Sequence, residues 1–290
     1  MRGDASSYYA AAVAPRLLAL DLDGTLLRAD QRVDDRDVAA IRELQAAGVT
    51  VTIVTGRMHS GSLGAARACA IEGAIGCVEG SHLIDVGTGR TLAHHAMPPD
   101  VTQLLREQFR AHGLASFVFD ADHIHHDAGG AAYAGYVSTW SPNLRIVEEA
   151  LDEGTWATEP LASVAIGDAA SVAAVAAALG PHAARVFSVS FAISRSMSPE
   201  LRDKHAVLVR AAGPTKGTAL AELCKVAGCG LADAVAVGDW VNDVPMFRVA
   251  GRSFAMAGAP PQVRAAATDV LEAEAGAGGG IAEAIRRAWG

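Results

Sequence analysis

Arg16-Leu17-Leu18-Ala19-Leu20-Asp21-Leu22-Asp23-Gly24-Thr25-Leu26-Leu27 is a short apolar run that ends on two carboxylates separated by one residue. A continuous apolar run closed by a turn signal reads as a buried parallel strand. Gly24 lets the chain turn away directly after it. Residues 49–54 repeat the pattern and end in Thr55, and residues 234–237 repeat it again and end in Gly238-Asp239. Between the first two, residues 34–47 carry Val38, Ile41 and Leu44 at helical spacing, with an Asp start and a Gly48 stop. Strand, helix and strand make one βαβ unit. A further helix is predicted over 218–227, behind Pro214-Thr215-Lys216-Gly217 and ahead of the third strand. The two ends of the chain thus read as halves of one α/β, doubly wound parallel sheet of Rossmann-like type, with its site at the carboxyl ends of the strands.

The middle of the chain reads differently. Helices are predicted over 101–112 and 170–179, and strands over 115–120 and around 186–190. This mixture indicates an inserted α+β domain. The expected organisation is a core built from residues 1–96 and 211–290, with an inserted cap over residues 97–210. The Gly-Ala stretch 276–280 reads as a loop before a final helix over 281–289.

With 290 residues, 51% of them hydrophobic, the chain can build two ordinary domains without staples. Cys69, Cys77, Cys224 and Cys229 have no Cys-x-x-Cys spacing, which argues against a zinc site or a disulfide framework. The first fifteen residues, with a short apolar run broken by Tyr and Pro, are expected to form neither a signal peptide nor a membrane span, and a reduced cytoplasmic setting is expected. A net charge of −8 with no polybasic run speaks against nucleic acid and anionic membranes as partners. An acidic chain that handles phosphates then needs a local positive site. The lysines Lys204, Lys216 and Lys225 are the complete set, which narrows the search.

Two clustered carboxylates would repel a phosphate unless a divalent cation binds both together. Thr55 in Val-Thr-Gly-Arg offers a hydroxyl and a free backbone N–H to a phosphoryl oxygen. Lys216 in Thr-Lys-Gly-Thr offers a point charge near a helix start. Gly238-Asp239-Trp240-Val241-Asn242-Asp243 adds two more carboxylates four residues apart. Lys204 competes with Lys216, but it lacks the Gly-Thr helix start and lies 35 rather than 23 positions before Asp239.

In order, these four segments resemble the four motifs of the haloacid-dehalogenase superfamily, and the Gly-Asp-x-x-Asn-Asp-x-x-Met ending resembles its Cof-type sugar-phosphatase branch. The resemblance covers both ends of the chain. It implies a magnesium-dependent hydrolase of small phosphate monoesters, such as sugar phosphates. Asp21 would attack phosphorus to form an aspartyl-phosphate, and Asp23 would protonate the leaving oxygen and then activate water. Thr55 and Lys216 would hold phosphoryl oxygens, with Leu22 N–H, Gly56 and Asn242 as further contacts, and Arg57 would either support the phosphate or form a structural ion pair. Mg2+ would be held by Asp21, the Asp23 backbone carbonyl and Asp239, with Asp243 close behind. Within the superfamily, Asp23 argues for ester chemistry. The 34 positions from Asp21 to Thr55 leave no room for a cap, whereas the 161 from Thr55 to Lys216 do. Two alternatives share these residues: a phosphotransferase or phosphomutase, and a phosphometabolite-binding protein without turnover. The oligomeric state is open.

The chain departs from the branch pattern at Trp240, Val241 and Pro245, and at Glu79-Gly80-Ser81, where Asn-Gly is common. Trp240 would either narrow the pocket or pack beneath the cap. Residues 120–127 hold three His and three Asp. The expected arrangement is a hairpin whose alternating side chains split this apparent metal cluster. Arg195, Arg202, Lys204 and His205 read as a solvated face.

Overall fold

The structure, a computed structural model, describes residues 14–193 and 201–290. The first segment runs β1 (Leu17–Leu20), α1 (Asp35–Ala46), β2 (Thr50–Ile53), α2 (His59–Ala68), β3 (Ala74–Cys77), β4 (His82–Asp85) and β5 (Thr91–His94). The middle runs α3 (Pro99–Ala111), β6 (Ala115–Phe119), β7 (Ile124–His126), α4 (Ala134–Val137), β8 (Leu144–Ile146), α5 (Glu153–Trp156), β9 (Ala162–Gly167), α6 (Ala169–Leu179), β10 (Val186–Ala192) and β11 (His205–Ala211). The last runs α7 (Lys216–Val226), β12 (Ala234–Gly238), α8 (Val244–Phe247), β13 (Arg252–Ala255), α9 (Pro261–Ala266), β14 (Asp269–Val270) and α10 (Gly280–Trp289).

β1 is buried throughout, as four apolar side chains without polar alternation require when both faces of a sheet are covered. The order β14-β13-β12-β1-β2 is parallel at every pairing. Val54 bridges to Gly76, so β3 and the antiparallel strands β4 and β5 extend the sheet. From β1 the chain crosses to β2 on one side and returns to β12 on the other. The β1/β12 pair is therefore the switch point, and Asp21, Thr55 and Asp239 all follow the carboxyl ends of their strands.

Local capping sets where helices begin. Asp34 accepts from the Arg36 N–H at 3.0 Å and starts α1. Helix α7 starts earlier than its apolar spacing implied. Thr215 Oγ1 accepts from Thr218 N–H at 3.1 Å, and Thr218 Oγ1 accepts from Thr215 N–H at 2.9 Å. This reciprocal box brings Lys216 into the first helical turn. Pro245 is harmless because it falls in the first turn of α8. Asp37, buried in α1, accepts from the N–H groups of Gly279 and Ala282 at 2.8 Å each and satisfies the open end of α10.

The middle segment builds a second sheet in the order β10-β11-β9-β6-β7-β8, antiparallel except between β7 and β8. Helices α3 and α6 cover one face, with Leu105, Phe109, Val172 and Val175 against Val118, Ala165, Val207 and Val209. The sheet meets the core where Met58 N–H donates to the Trp140 carbonyl at 2.9 Å and the Ser60 and Ser141 hydroxyls lie 2.6 Å apart. Its β6-β7 hairpin divides residues 120–127. His125 Nε2 lies 2.6 Å from Asp120 Oδ2, whereas His126 packs tilted against Phe117 with ring centroids 5.6 Å apart. Arg195 lies outside the described residues. Arg202 is exposed, and Lys204 and His205 are half-buried. The four cysteines are free, and no helix among the described residues is long and apolar enough to cross a membrane.

Candidate active site

Asp21 leaves the end of β1 into the interior, and its carboxylate meets a lysine that came from the opposite end of the chain. Lys216 Nζ donates to Asp21 Oδ1 at 2.5 Å and to Asp243 Oδ1 at 2.7 Å. All three side chains are buried. The second oxygen of Asp243 accepts from the N–H groups of Asp239 and Trp240, each at 2.9 Å, which shapes the loop after β12. Asp239 Oδ1 accepts from Thr25 Oγ1 at 3.0 Å. Gly24, at φ +82°, makes room for this arrangement, since a Cβ there would lie 2.5 Å from Asp239 Oδ2. Lys204, the rival lysine, lies in the inserted segment and lines an open cavity there with Tyr133 and Asp168.

One carboxylate oxygen each from Asp21, Asp239 and Asp243 lies within 4.8 Å of the others, the one such gathering of metal-ligating side chains among the described residues. Burial, reinforced by Asp243, pushes Asp239 up to about 6. Burial likewise drives Asp21 well above the usual carboxylate range, with Lys216 opposing and the two neighbouring carboxylates adding to the rise. Burial works against charge on Lys216, but Asp21, Asp243 and Glu79 outweigh it and keep the ammonium protonated far above its ordinary value. Three carboxylates thus share one ammonium. The negative charge left over, on hard oxygen donors, suits a small divalent cation.

The remaining expected residues divide. Thr55 is buried, and its Oγ1 accepts from Arg57 N–H at 3.1 Å, which leaves the hydroxyl proton free to donate. The N–H groups of Leu22 and Gly56 donate to no backbone carbonyl among the described residues. Asp23 is displaced from the buried trio, with its side chain half exposed. Arg57 is paired with Asp23. Its Nε donates to Asp23 Oδ2 at 2.8 Å, its Nη2 bonds both Asp23 and Gln31, and its Nη1 reaches the Gly61 carbonyl at 3.4 Å. Asn242 donates to Glu79 Oε1 at 2.8 Å. Trp240 is 57% exposed beside Asp239. Thr25 and Gln31 were not singled out by sequence. Thr25 lies within the opening motif, but its partner Asp239 is 214 residues away.

A family profile described as haloacid dehalogenase-like hydrolase matches residues 18–285, and the chain belongs to that family. It is an enzyme of the hydrolase class. The match takes in the middle segment, which the four motifs do not reach. Pyridoxal phosphate phosphatase YbhA of Escherichia coli (strain K12) is 27% identical over 278 residues, covering 88% of this chain and 93% of the relative. A haloacid dehalogenase-like hydrolase from Bacteroides thetaiotaomicron has the same fold, with a TM-score of 0.81 at 22% identity over 94% of this chain and 99% of that one. The subclass IIB sugar phosphatase BT4131 gives a TM-score of 0.74 at 19% identity over 94% and 98%.

Proposed function

We propose that this phosphoric monoester hydrolase cleaves small phosphorylated metabolites through an aspartyl-phosphate on Asp21, with Mg2+ as its cofactor. The observation that carries this reading is the Lys216 ammonium held between Asp21 and Asp243 beside Asp239. The E. coli relative, named for pyridoxal phosphate, and the solved sugar phosphatase support the substrate size and class. The second sheet, over residues 97–210, acts as the cap that chooses the leaving group. The free cysteines fit a reducing, cytoplasmic setting.

In the first step an Asp21 oxygen bonds to phosphorus as the ester P–O bond breaks, and Asp23 gives its proton to the departing oxygen. In the second, Asp23 takes a proton from water, whose oxygen attacks phosphorus and breaks its bond to Asp21. Phosphate leaves, Asp21 is again a carboxylate, and Asp23 again carries its proton. Thr55, Lys216, Asn242 and the N–H groups of Leu22 and Gly56 receive the phosphoryl oxygens. Arg57 orients Asp23. Magnesium bound by Asp21, the Asp23 carbonyl and Asp239, with Asp243 behind, would supply the positive charge that offsets carboxylate and phosphate together. Phosphate release from a panel of phosphorylated metabolites, with and without Mg2+, tests the reading. Magnesium-dependent release supports it, and no release from any ester in either condition refutes it.

The raised Asp239 predicts a pH-dependent metal response. Between the ordinary carboxylate value and about 6, the metal-free native state binds more protons than the unfolded chain, so its stability falls as pH rises through that window. Metal binding requires the same carboxylates deprotonated. Mg2+ is therefore expected to raise Tm clearly at about pH 8 and little at about pH 5. Thermal melts at both values check this; equal shifts would contradict it.

A further inference from the structure

Glu79 is a charged group at the site that the proposed reaction leaves unused. It stands in a left-handed turn, with φ of +49° at Val78 and +57° at Glu79. Side chains of these kinds seldom adopt that region, and such strain persists where surrounding structure over-determines it, often at functional sites. The turn is tied to the loop after β2: Val78 N–H donates to the Arg57 carbonyl and Glu79 N–H to the Thr55 carbonyl, each at 2.9 Å. Glu79 Oε1 accepts from Asn242 and crowds Gly56, where a Cβ would lie 2.6 Å from it. Gly56, Asn242 and Lys216 are the groups assigned to the phosphoryl oxygens, and the Lys216 ammonium responds to the Glu79 charge. So does Arg210, which comes from β11 of the second sheet. The carboxylate thus lies beside the phosphoryl niche, against Gly56 and Asn242.

We propose that Glu79 selects substrates by charge, admitting phosphomonoesters whose leaving group carries a cationic nitrogen and turning away those that carry a carboxylate. This rests on the phosphohydrolase reading of the same site. A fixed anion beside the phosphate adds to its repulsion; a cation on the leaving group offsets that, and a second anion compounds it. The protein itself does not neutralise Glu79 by contact. Lys216 is held between Asp21 and Asp243. The Arg210 guanidinium donates to the Pro214 carbonyl at 2.5 Å and lies 4.3 Å from the Phe187 ring centroid. Among the described residues, the side-chain partner of Glu79 is the uncharged amide of Asn242.

Calorimetry with non-hydrolysable phosphonates of matched length tests the proposal: aminopropyl-, hydroxypropyl- and carboxyethyl-phosphonate, each titrated into magnesium-loaded wild type and Glu79→Gln. Wild type is expected to bind the amino compound at least about tenfold tighter than the carboxylate, a difference of about 1.4 kcal/mol. In Glu79→Gln, where Arg210 and Lys216 keep their charges, that ratio should collapse to about one or reverse. An unchanged ratio in the variant overturns the proposal, as does a wild type that favours the carboxylate, binds the three alike or binds none. Should Glu79→Gln fail to fold, Glu79→Asn, better suited to positive φ, serves for the same ratio. Because binding is read, the outcome is independent of turnover: the expected order without phosphate release would sink hydrolysis alone.

Discussion

Asp21→Asn is expected to abolish phosphate release, by at least about 10,000-fold, because the amide cannot form the acyl-phosphate bond and no other carboxylate occupies its place. Asn keeps the side-chain shape and an oxygen that can accept from Lys216, which retains Asp243 at 2.7 Å. One buried negative charge also leaves the cluster, and burial, with Asp243 and Asp239 adding to it, had worked against that charge. The variant should therefore fold and melt within a few degrees of wild type, or above it. Phosphate-release assays beside thermal melts check both halves. A folded, active Asp21→Asn enzyme would remove the covalent mechanism, and an unfolded one would show that the aspartate carries structure as well as chemistry.

Lys216→Met has the opposite balance, with a large effect on stability as well as rate. Methionine replaces most of the apolar stem but leaves Asp21 and Asp243 buried without their shared cation. Breaking a buried ion pair from one side costs about 3–5 kcal/mol. For a chain of this size that lowers Tm by about ten degrees in the absence of metal. Activity should fall by about a thousandfold, as expected when a principal charge facing the transition state is lost. Adding Mg2+ should return part of the stability, since a bound divalent ion compensates the same carboxylates. Combining Lys216→Met with Asp21→Asn should cost less stability than the sum of the two, because the second change removes one of the stranded anions. Melts of the two single variants and the double variant, with and without Mg2+, measure this. A metal-free Lys216→Met protein as stable as wild type would mean that the ammonium is not what holds the trio together.

Much of the core was legible because buried parallel strands leave continuous apolar runs, and residues 16–20, 49–54 and 234–237 are such runs, each ending where chemistry begins. Lys216 was legible for a different reason: its Thr-Lys-Gly-Thr context and spacing separate it from Lys204. The inserted segment was legible only in outline. β9 and β11 consist largely of small or β-branched residues without clear alternation, since both faces of that sheet are substantially covered, and their order beside β6 follows from tertiary pairing.

The sequence by itself determined the class of core, the strand ends that carry Asp21, Thr55 and Asp239, and the choice of Lys216, because apolar period and turn chemistry are local properties of the chain. Only the tertiary structure decided that Arg57 serves Asp23, that Asp37 caps a helix 242 residues away, and that the Glu79 carboxylate reaches Asn242 across 163 residues. A side chain's partner is set by which strand ends the sheet brings together in space. Local spacing carries no record of that distance.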